Sequence, residues 1–423
     1  MKPAVSNEAQ PLASEEQVSE DFLLTTKNGD RTVKGASIDK MIHLLIYSDS
    51  KFVDMILLTY RTYMSPTVFL EKLFSMYHSP PSNPFAPLEP VTVRDTRVKL
   101  ANIVKHWVTT SFENDFANDP ALFKLLYNYV NQTFCSAEIK LGSRIHRAIN
   151  TKNDQLNSFR NLTVQFQYSE KPPTPIFPKG NDFVDFDNYE IARQLCLYEQ
   201  HLYKSVHPSE FLNQSWRNNK TNAPNLTKAI EYFNRMTNWV VTQIILKEND
   251  KERFKMVRKF IKIMICASKY NNFSTMREIC AAFGSAAVWR LKATWALIEK
   301  EKKVYEEYTR IMALLAPDKN FKNYREALQT SNPPCLPYLG QYLTDLTFIE
   351  DGNPDYLPLP QRKDIINIEK MTRIATTIQQ ICLYQQHSYF FEKVDPIYNF
   401  LGGDLPFLSE QECYARSKEL EPS

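Results

Sequence analysis

Two adjacent carboxylates, Glu350 and Asp351, are the side chains whose position most suggests chemistry, because the sequence places both at the end of a helix. The helix dipole is negative at its C-terminus and disfavours a carboxylate there by about 0.3–1 kcal/mol. Local departures of this kind are more common at functional sites. Two interpretations stay open: a functional tip, or a frayed and hydrated helix end at which water screens the charge.

Other residue types that carry out chemistry are present without the spacing that chemistry needs. No two of the seven histidines have metal-ligand spacing on a helix. They are His43, His78, His106, His146, His201, His207 and His387. The cysteines form no C-x-x-C pair, which suggests free thiols. The chain also lacks a nucleophile elbow, a phosphate-binding loop and a dinucleotide fingerprint. We therefore expect no metal, no cofactor and no covalent catalysis.

Composition favours helices. Only 9 of 423 residues are glycine, roughly 2% against an average of about 7%, and phosphate loops and tight hairpins consume glycine. The net charge of +3 gives no electrostatic case for nucleic acid. No run of about 18 uncharged apolar residues occurs. These features predict an all-α, cytoplasmic protein without direct membrane insertion, in which any contact with the inner face of membranes would be through a partner.

Apolar periodicity divides the chain into two helical domains. Residues 1–30 are polar and acidic and are expected to form a flexible tail. Residues 31–150 show apolar steps of three and four, as does the larger region 183–423. The intervening stretch, 151–182, contains Lys-Pro-Pro-Thr-Pro-Ile-Phe-Pro and is predicted to be a linker.

Within the second domain, prolines predict an antiparallel helical hairpin at about 334–385. Pro333 and Pro334 can open a helix, because proline is tolerated in the first turn. The helix then continues from Cys335 to Ile349 until Gly352 and Pro354, which together are a stop signal. A second helix is expected to begin near 362–365. Glu350 and Asp351 would lie at the tip of this hairpin.

Ordered sequence blocks in both domains carry a resemblance to a known family. In the second domain they include Glu190-Ile-Ala-Arg-Gln-Leu195, His207-Pro-Ser-Glu-Phe-Leu212, Pro224-Asn-Leu226, Phe321-Lys-Asn-Tyr-Arg-Glu-Ala-Leu328 and Gly340-Gln-Tyr-Leu-Thr-Asp-Leu-Thr-Phe-Ile-Glu-Asp-Gly-Asn-Pro354. In the first domain they are Leu57-Leu-Thr-Tyr-Arg-Thr-Tyr63, His106-Trp-Val108, Phe112 and Asp115-Phe116. With these blocks, the second domain resembles the Son-of-sevenless-like catalytic domain of Ras-family guanine-nucleotide exchange factors, and the first resembles the Ras exchanger motif that precedes it. The resemblance implies a protein catalyst of nucleotide exchange without covalent chemistry, acting on a Ras/Rap-type small GTPase through its hairpin.

The resemblance also implies particular site residues. Thr347 and Asp351 stand where Son-of-sevenless members present Leu and Glu to the magnesium and phosphate site, and Asn353 follows them. Residues implied to hold the second switch region of the GTPase are Trp216, Ile230, Asn234, Phe321, Tyr338, Ile368 and Arg373. Core packing is the alternative role for each member of that set, with equal weight for Ile230, Tyr338 and Ile368.

Two hypotheses follow. The first is an active exchange factor for Ras, Rap or a close relative. The second is a catalytically weak or inactive scaffold that binds the GTPase, suggested by the small Thr347 and the shorter Asp351. A helical hydrolase would need a nucleophile–base pair, and the sequence shows none. The sequence does not specify the GTPase, the oligomeric state or the activating signal.

Overall fold

The structure is a computed structural model that describes residues 16–18, 22–27, 30–79, 92–136, 139–159, 172–360 and 362–422. These residues form two compact units. The first contains the described residues of Met1–Val164 and of Thr347–Thr376, and the second those of Gln165–Leu346 and of Thr377–Ser423. Among them, no helix combines the length and the apolar character that crossing a membrane requires.

The predicted all-α class is confirmed, with one small sheet added to it. The α-helices of the described residues are α1 Ile38–Leu44, α2 Ser50–Thr59, α3 Pro66–His78, α4 Val93–Ser111, α5 Pro120–Tyr129, α6 Ile139–Phe159, α7 Asn188–Ser205, α8 Ser215–Asn218, α9 Pro224–Ile245, α10 Asp250–Lys269, α11 Phe273–Phe283, α12 Ala286–Trp289, α13 Lys292–Lys300, α14 Lys302–Leu314, α15 Asp318–Thr330, α16 Leu339–Gly352, α17 Ile368–Gln385, α18 Asp395–Gly402 and α19 Glu410–Leu420. The strands are β1 Glu16–Val18, β2 Phe22–Lys27, β3 Asp30–Ala36 and β4 Ile366–Asn367.

In the first unit, helices α1 to α5 each begin at a side chain that accepts a hydrogen bond from a backbone N–H of the first turn. Such a cap satisfies a donor that the helix itself leaves unpaired. The capping residues are Ser37, Asp49, Ser65, Thr92 and Asp119. Local sequence thus determines where these helices start.

Aromatic side chains form the centre of the first unit's core. Tyr60 stacks on Phe69 with ring centroids 4.5 Å apart, and Trp107 meets Phe69 edge-on at 4.9 Å. Phe116 lies 4.9 Å from the Trp107 ring. All four side chains are at most 1% exposed. Tyr60, Trp107 and Phe116 belong to the blocks that resemble the exchanger motif. These blocks therefore contribute to the hydrophobic core of the first unit.

A four-stranded antiparallel sheet lies in the first unit, in the order β1-β2-β3-β4. Gly35 pairs with Asn367 and Ala36 with Ile366. A side chain at Gly35 would collide, since a Cβ there would lie 2.5 Å from Leu357 Cδ1. Strands β1 and β2 lie within residues 1–30, where we expected a flexible tail, and the rest of that range apart from Asp30 lies outside the described residues.

One predicted domain boundary needs correction. Helix α6 continues to Phe159, past the expected linker start at 151, because no glycine or proline interrupts residues 143–171. The described part of the linker is anchored: the Ile176 N–H donates to Glu190 Oε2 at 3.0 Å. Glu190 is buried and also accepts from Gln194 Nε2 at 2.7 Å. A block that resembles the family therefore holds the linker against α7.

In the second unit, a buried carboxylate organises the start of α9. Glu210 Oε2 accepts from the N–H groups of Asn225 and Leu226, at 2.8 and 2.9 Å. The N-cap residue of this helix, Ala223, offers no side-chain acceptor. Glu210 therefore supplies both the missing acceptor and the negative charge that a helix N-terminus favours.

The helical hairpin is present, but both of its helices start later than predicted. Helix α16 begins at Leu339 instead of Cys335, because the backbone of Leu336 pairs with Asn271 and Phe273 at 3.0 and 2.9 Å. Helix α17 begins at Ile368, since the preceding two residues form β4. Helix α17 ends at Gln385.

Candidate functional site

The tip of the hairpin lies in the first unit and carries the three residues predicted to act on the nucleotide site. Asp351 is exposed in the last turn of α16, and Thr347 is half-buried one turn earlier. Asn353 donates from Nδ2 to the Ile349 main-chain oxygen at 2.8 Å. Because a helix leaves its last carbonyl groups unpaired, this bond gives Asn353 a clear role in ending α16.

Glu350 is not a frayed, hydrated helix end. Its carboxylate Oε2 lies 2.6 Å from the Nζ of Lys370, and these side chains are only 9% and 3% exposed. The ammonium also donates to the Glu350 main-chain oxygen at 3.3 Å and pairs with Asp355 at 2.7 Å. A cation at this position offsets the negative end of the helix dipole. Burial alone would lower the pKa of Lys370, but hydrogen bonds to Asp355 and Glu350 raise it above its ordinary value.

Residues of the exchanger-like region cover the base of this tip. The rings of Tyr63 and Tyr356 meet edge-on with centroids 5.9 Å apart. Burial, reinforced by the charges of Asp355 and Glu350, raises the pKa of Tyr63 above its ordinary value. Tyr63 therefore remains a neutral phenol beside two carboxylates.

The two predicted contact residues on α17 differ in accessibility. Ile368 is 3% exposed and packs into the core cluster that includes Ile366 and Met371. The Arg373 side chain is 54% exposed and lies 3.7 Å from the carboxylate of Glu369. Arg373 is thus accessible to solvent, whereas Ile368 presents almost no surface, and the predicted partner contacts of both residues stay predictions.

In the second unit, four predicted contact residues line one apolar cavity of about 280 Å³: Trp216, Ile230, Asn234 and Tyr338. Asn234 is exposed, Ile230 and Tyr338 are half-buried, and Trp216 is 8% exposed. Ring contact with Phe233, at a centroid distance of 5.0 Å, holds Tyr338 in the wall. Residues that are far apart in the sequence therefore line one cavity, and their contact with a GTPase stays a prediction.

Phe321 is connected to this wall through a residue that sequence reasoning missed, Arg277. The Arg277 guanidinium lies 5.2 Å from the Phe321 ring centroid and 5.7 Å from that of Tyr338. Phe321 also ends a run of three left-handed residues, with φ near +57°. Non-glycine residues rarely adopt this conformation, and they do so chiefly where surrounding structure enforces it. Arg277 gave no local signal because its partners are distant in sequence.

Two buried carboxylates, Glu199 and Glu278, line the same cavity. Glu199 Oε1 accepts from Thr275 Oγ1 at 2.6 Å. Neither carboxylate oxygen of Glu278 has a hydrogen-bond partner in the part of the chain that the structure describes. Burial raises the pKa of both groups, and the charge of Glu199 raises that of Glu278 further. Ionisation of both carboxyl groups at the same time is therefore unfavourable.

The tip also carries an exposed aromatic residue that sequence reasoning missed. Phe348 is 71% exposed on α16, beside Thr347. The buried positions of this helix are Gln341, Tyr342, Leu343 and Leu346. Phe348 lies off that stripe, and this departure from the apolar period is the signal that could have identified it.

Comparison with known proteins finds matches for both regions of the chain. Residues 190–372 match the RasGEF domain, and residues 32–129 match the RasGEF N-terminal motif. The chain belongs to the family of Ras guanine nucleotide exchange factors. Both predicted resemblances are thereby confirmed.

Curated relatives support the same assignment. Ras guanine nucleotide exchange factor J of Dictyostelium discoideum is 33% identical over 405 residues, covering 92% of this chain and 48% of the relative. Exchange factor P of the same organism is 33% identical, and the match covers 97% of this chain and 28% of the relative. Protein son of sevenless of Drosophila melanogaster is 30% identical, and the match covers 92% of this chain and 27% of the relative. The chain thus spans at most about half the length of these three relatives.

Proposed function

We propose that this chain accelerates GDP release and GTP loading on a Ras/Rap-type small GTPase by inserting its helical hairpin at the switch regions. One observation carries the proposal: the hairpin tip presents Phe348 and Asp351 to solvent, while a buried ion pair holds the helix end that carries them. An exposed aromatic side chain on a rigid helix is suited to enter a partner rather than to stabilise its own fold.

The proposed mechanism is mechanical. Exchange factor and nucleotide each bind the GTPase, and each weakens the binding of the other by the same factor. The switch regions are the part of the GTPase that changes between two conformational states. Asp351 would direct its carboxylate toward the magnesium and phosphate site, where a negative charge competes with phosphate oxygens for the cation. Thr347 would occupy space beside it.

The second unit would supply the docking surface. Its apolar cavity, lined by Trp216, Ile230, Asn234 and Tyr338, suits apolar side chains of the second switch region. Phe321 and Arg277 would extend that surface, and Arg373 would add a charged contact from the first unit. Membrane recruitment through the GTPase also stays a prediction.

A GTPase-binding scaffold with weak or no exchange activity is the alternative. Thr347 favours it, because a half-buried threonine fills less space than the leucine of Son-of-sevenless members. The two hypotheses differ in which form of the GTPase binds more tightly. An active factor prefers the nucleotide-free form, whereas a scaffold binds the nucleotide-loaded form stably.

Release of a fluorescent GDP analogue tests the proposal. The chain is added in catalytic amount to Ras, Rap, Ral and Rho-type GTPases, with an excess of unlabelled GTP. Acceleration of one or two Ras-group members by orders of magnitude is expected. No acceleration of any member, together with stable binding to a nucleotide-loaded GTPase, would favour the scaffold.

A further inference from the structure

A buried lysine joins three chain segments at the base of the hairpin tip. The Lys370 Nζ lies 2.6 Å from Glu350 Oε2 in the last turns of α16 and 2.7 Å from Asp355 Oδ1 in the connection that follows. Lys370 itself belongs to the first turn of α17. One side chain therefore connects the end of one hairpin helix, the start of the other and the segment between them.

The backbone around Lys370 is fixed as well. Its backbone N–H donates to Asn367 Oδ1 at 3.1 Å, and the side-chain amide nitrogen of Asn367, Nδ2, donates to the Pro354 carbonyl oxygen at 3.1 Å. The Asn367 N–H donates to the Asp355 carbonyl oxygen at 2.8 Å. Lys370 is thus held on a rigid base, so its ammonium can define the position of Glu350.

Burial makes this pair sensitive to removal of either member. A buried charge that loses its partner is strongly destabilised, because the protein interior does not replace water around it. The other carboxylate oxygen of Glu350, Oε1, has no hydrogen-bond partner among the described residues. Loss of the lysine would therefore drive Glu350 outward and change the last turn of α16, in which Asp351 is the next residue.

We propose that Lys370 is a positioning residue for nucleotide exchange: through Glu350 and Asp355 it fixes the direction in which Asp351 and Phe348 leave the hairpin. The inference rests on the proposed function and adds to it a residue that need not touch the GTPase. Misplacing a group by about 1 Å can cost up to about a hundredfold in rate. The effect should therefore fall on turnover more than on docking, since the cavity of the second unit is unchanged.

The test compares Lys370→Met, Lys370→Arg and a control, Lys105→Met, which removes an exposed lysine of the same unit. Initial rates of GDP-analogue release are measured against GTPase concentration to separate kcat from KM. For Lys370→Met we expect kcat to fall at least about tenfold while KM changes less than about threefold. Lys370→Arg should restore most of kcat, and the control should match the wild type.

Each contrary result has a distinct meaning. If the wild type is active and Lys370→Met leaves kcat unchanged, Lys370 has no positioning role. The same conclusion follows if kcat and affinity fall together and Lys370→Arg does not restore them. An inactive wild type would overturn the proposed function itself. If Lys370→Met does not fold, Asp355→Asn decides, because the Asp355 side chain is 48% exposed. A fall in its kcat of about threefold or more supports the inference, and an unchanged kcat overturns it.

Discussion

The indole N–H of Trp107 donates to the carboxylate of Asp115 at 2.5 Å, and the Tyr60 hydroxyl donates to the same oxygen at 2.7 Å. Arg61 forms an ion pair with the other oxygen of Asp115, whose side chain is 1% exposed. One carboxylate thus satisfies the polar groups of an otherwise aromatic core. Removing it would leave two buried donors without an acceptor.

Asp115→Ala should therefore destabilise the first unit by about 3–5 kcal/mol, the usual cost of breaking a buried charged pair. Urea unfolding followed by tryptophan fluorescence measures this change. Glu113→Ala is the matched control, because Glu113 is an exposed carboxylate in the same turn. Equal stability of the two variants would show that the network around Asp115 contributes nothing.

Phe348→Ala should weaken exchange by about tenfold or more, the loss typical of an aromatic anchor at an interface. Its thermal midpoint should stay unchanged, since the side chain is 71% exposed and buries little surface in the free protein. Ile139→Ala is the control, because Ile139 is 70% exposed in the same unit. Wild-type exchange by Phe348→Ala would exclude the aromatic ring from the interface.

Asp351→Ala should reduce kcat for GDP release while leaving the fold intact, because this carboxylate is exposed at the tip. If the carboxylate acts through the magnesium site, Asp351→Glu should retain or increase the activity. Asp364→Ala, which removes another exposed carboxylate of the same unit, should have no effect. Unchanged activity of Asp351→Ala would mean that the carboxylate has no role in exchange.

The buried acid pair predicts a pH dependence of stability. Burial raises the pKa of Glu199 from 4.5 to about 7, and that of Glu278 also rises. The folded chain therefore holds more protons than the unfolded chain in this window, so the free energy of unfolding falls as pH rises from 4.5 to about 7.

Glu278→Gln should reduce this dependence, because it removes one of the two buried acids. The variant should therefore be more stable than the wild type at pH 8, where the wild type loses stability because a buried acid ionises. Thermal unfolding at pH 5 and pH 8 provides the comparison. A wild type that is equally stable at both values would contradict the assignment.

Sequence patterns predicted those features that depend on neighbouring residues. For example, the apolar steps of three and four in the region 183–423 include Val257, Phe260, Ile261 and Met264, and all four residues are buried on α10. The helix class, the hairpin and its stop signal at Gly352 follow from the same local logic. The resemblance to the family pointed to the residues of the cavity. The periodicity of apolar residues could not show that they lie close together, because they are distant in the sequence.

The errors in the hairpin boundaries have a common physical cause, which is pairing between distant segments. Helix α16 starts late because Leu336 pairs with residues around 272, and α17 starts late because Ile366 pairs with Ala36. Ile368, for which core packing and a partner contact had equal weight, lies in a core formed mainly by residues before 150, and its partner contact stays a prediction. Lys370 was missed because a buried lysine cannot be distinguished from a surface one until its two carboxylates are located.

The pairing of β3 with β4 has a consequence for biosynthesis. Strand β3 emerges from the ribosome early, but its partner at Ile366 follows more than 300 positions later. At about 5–20 residues per second, this is a delay of roughly 15 to 70 seconds. During that time the N-terminal helices lack Ile366, Ile368 and Met371 from their core and leave apolar surface uncovered. The nascent chain therefore needs protection from aggregation for longer than its helical content suggests, and fragments that stop before the hairpin should bind chaperones that recognise exposed apolar segments.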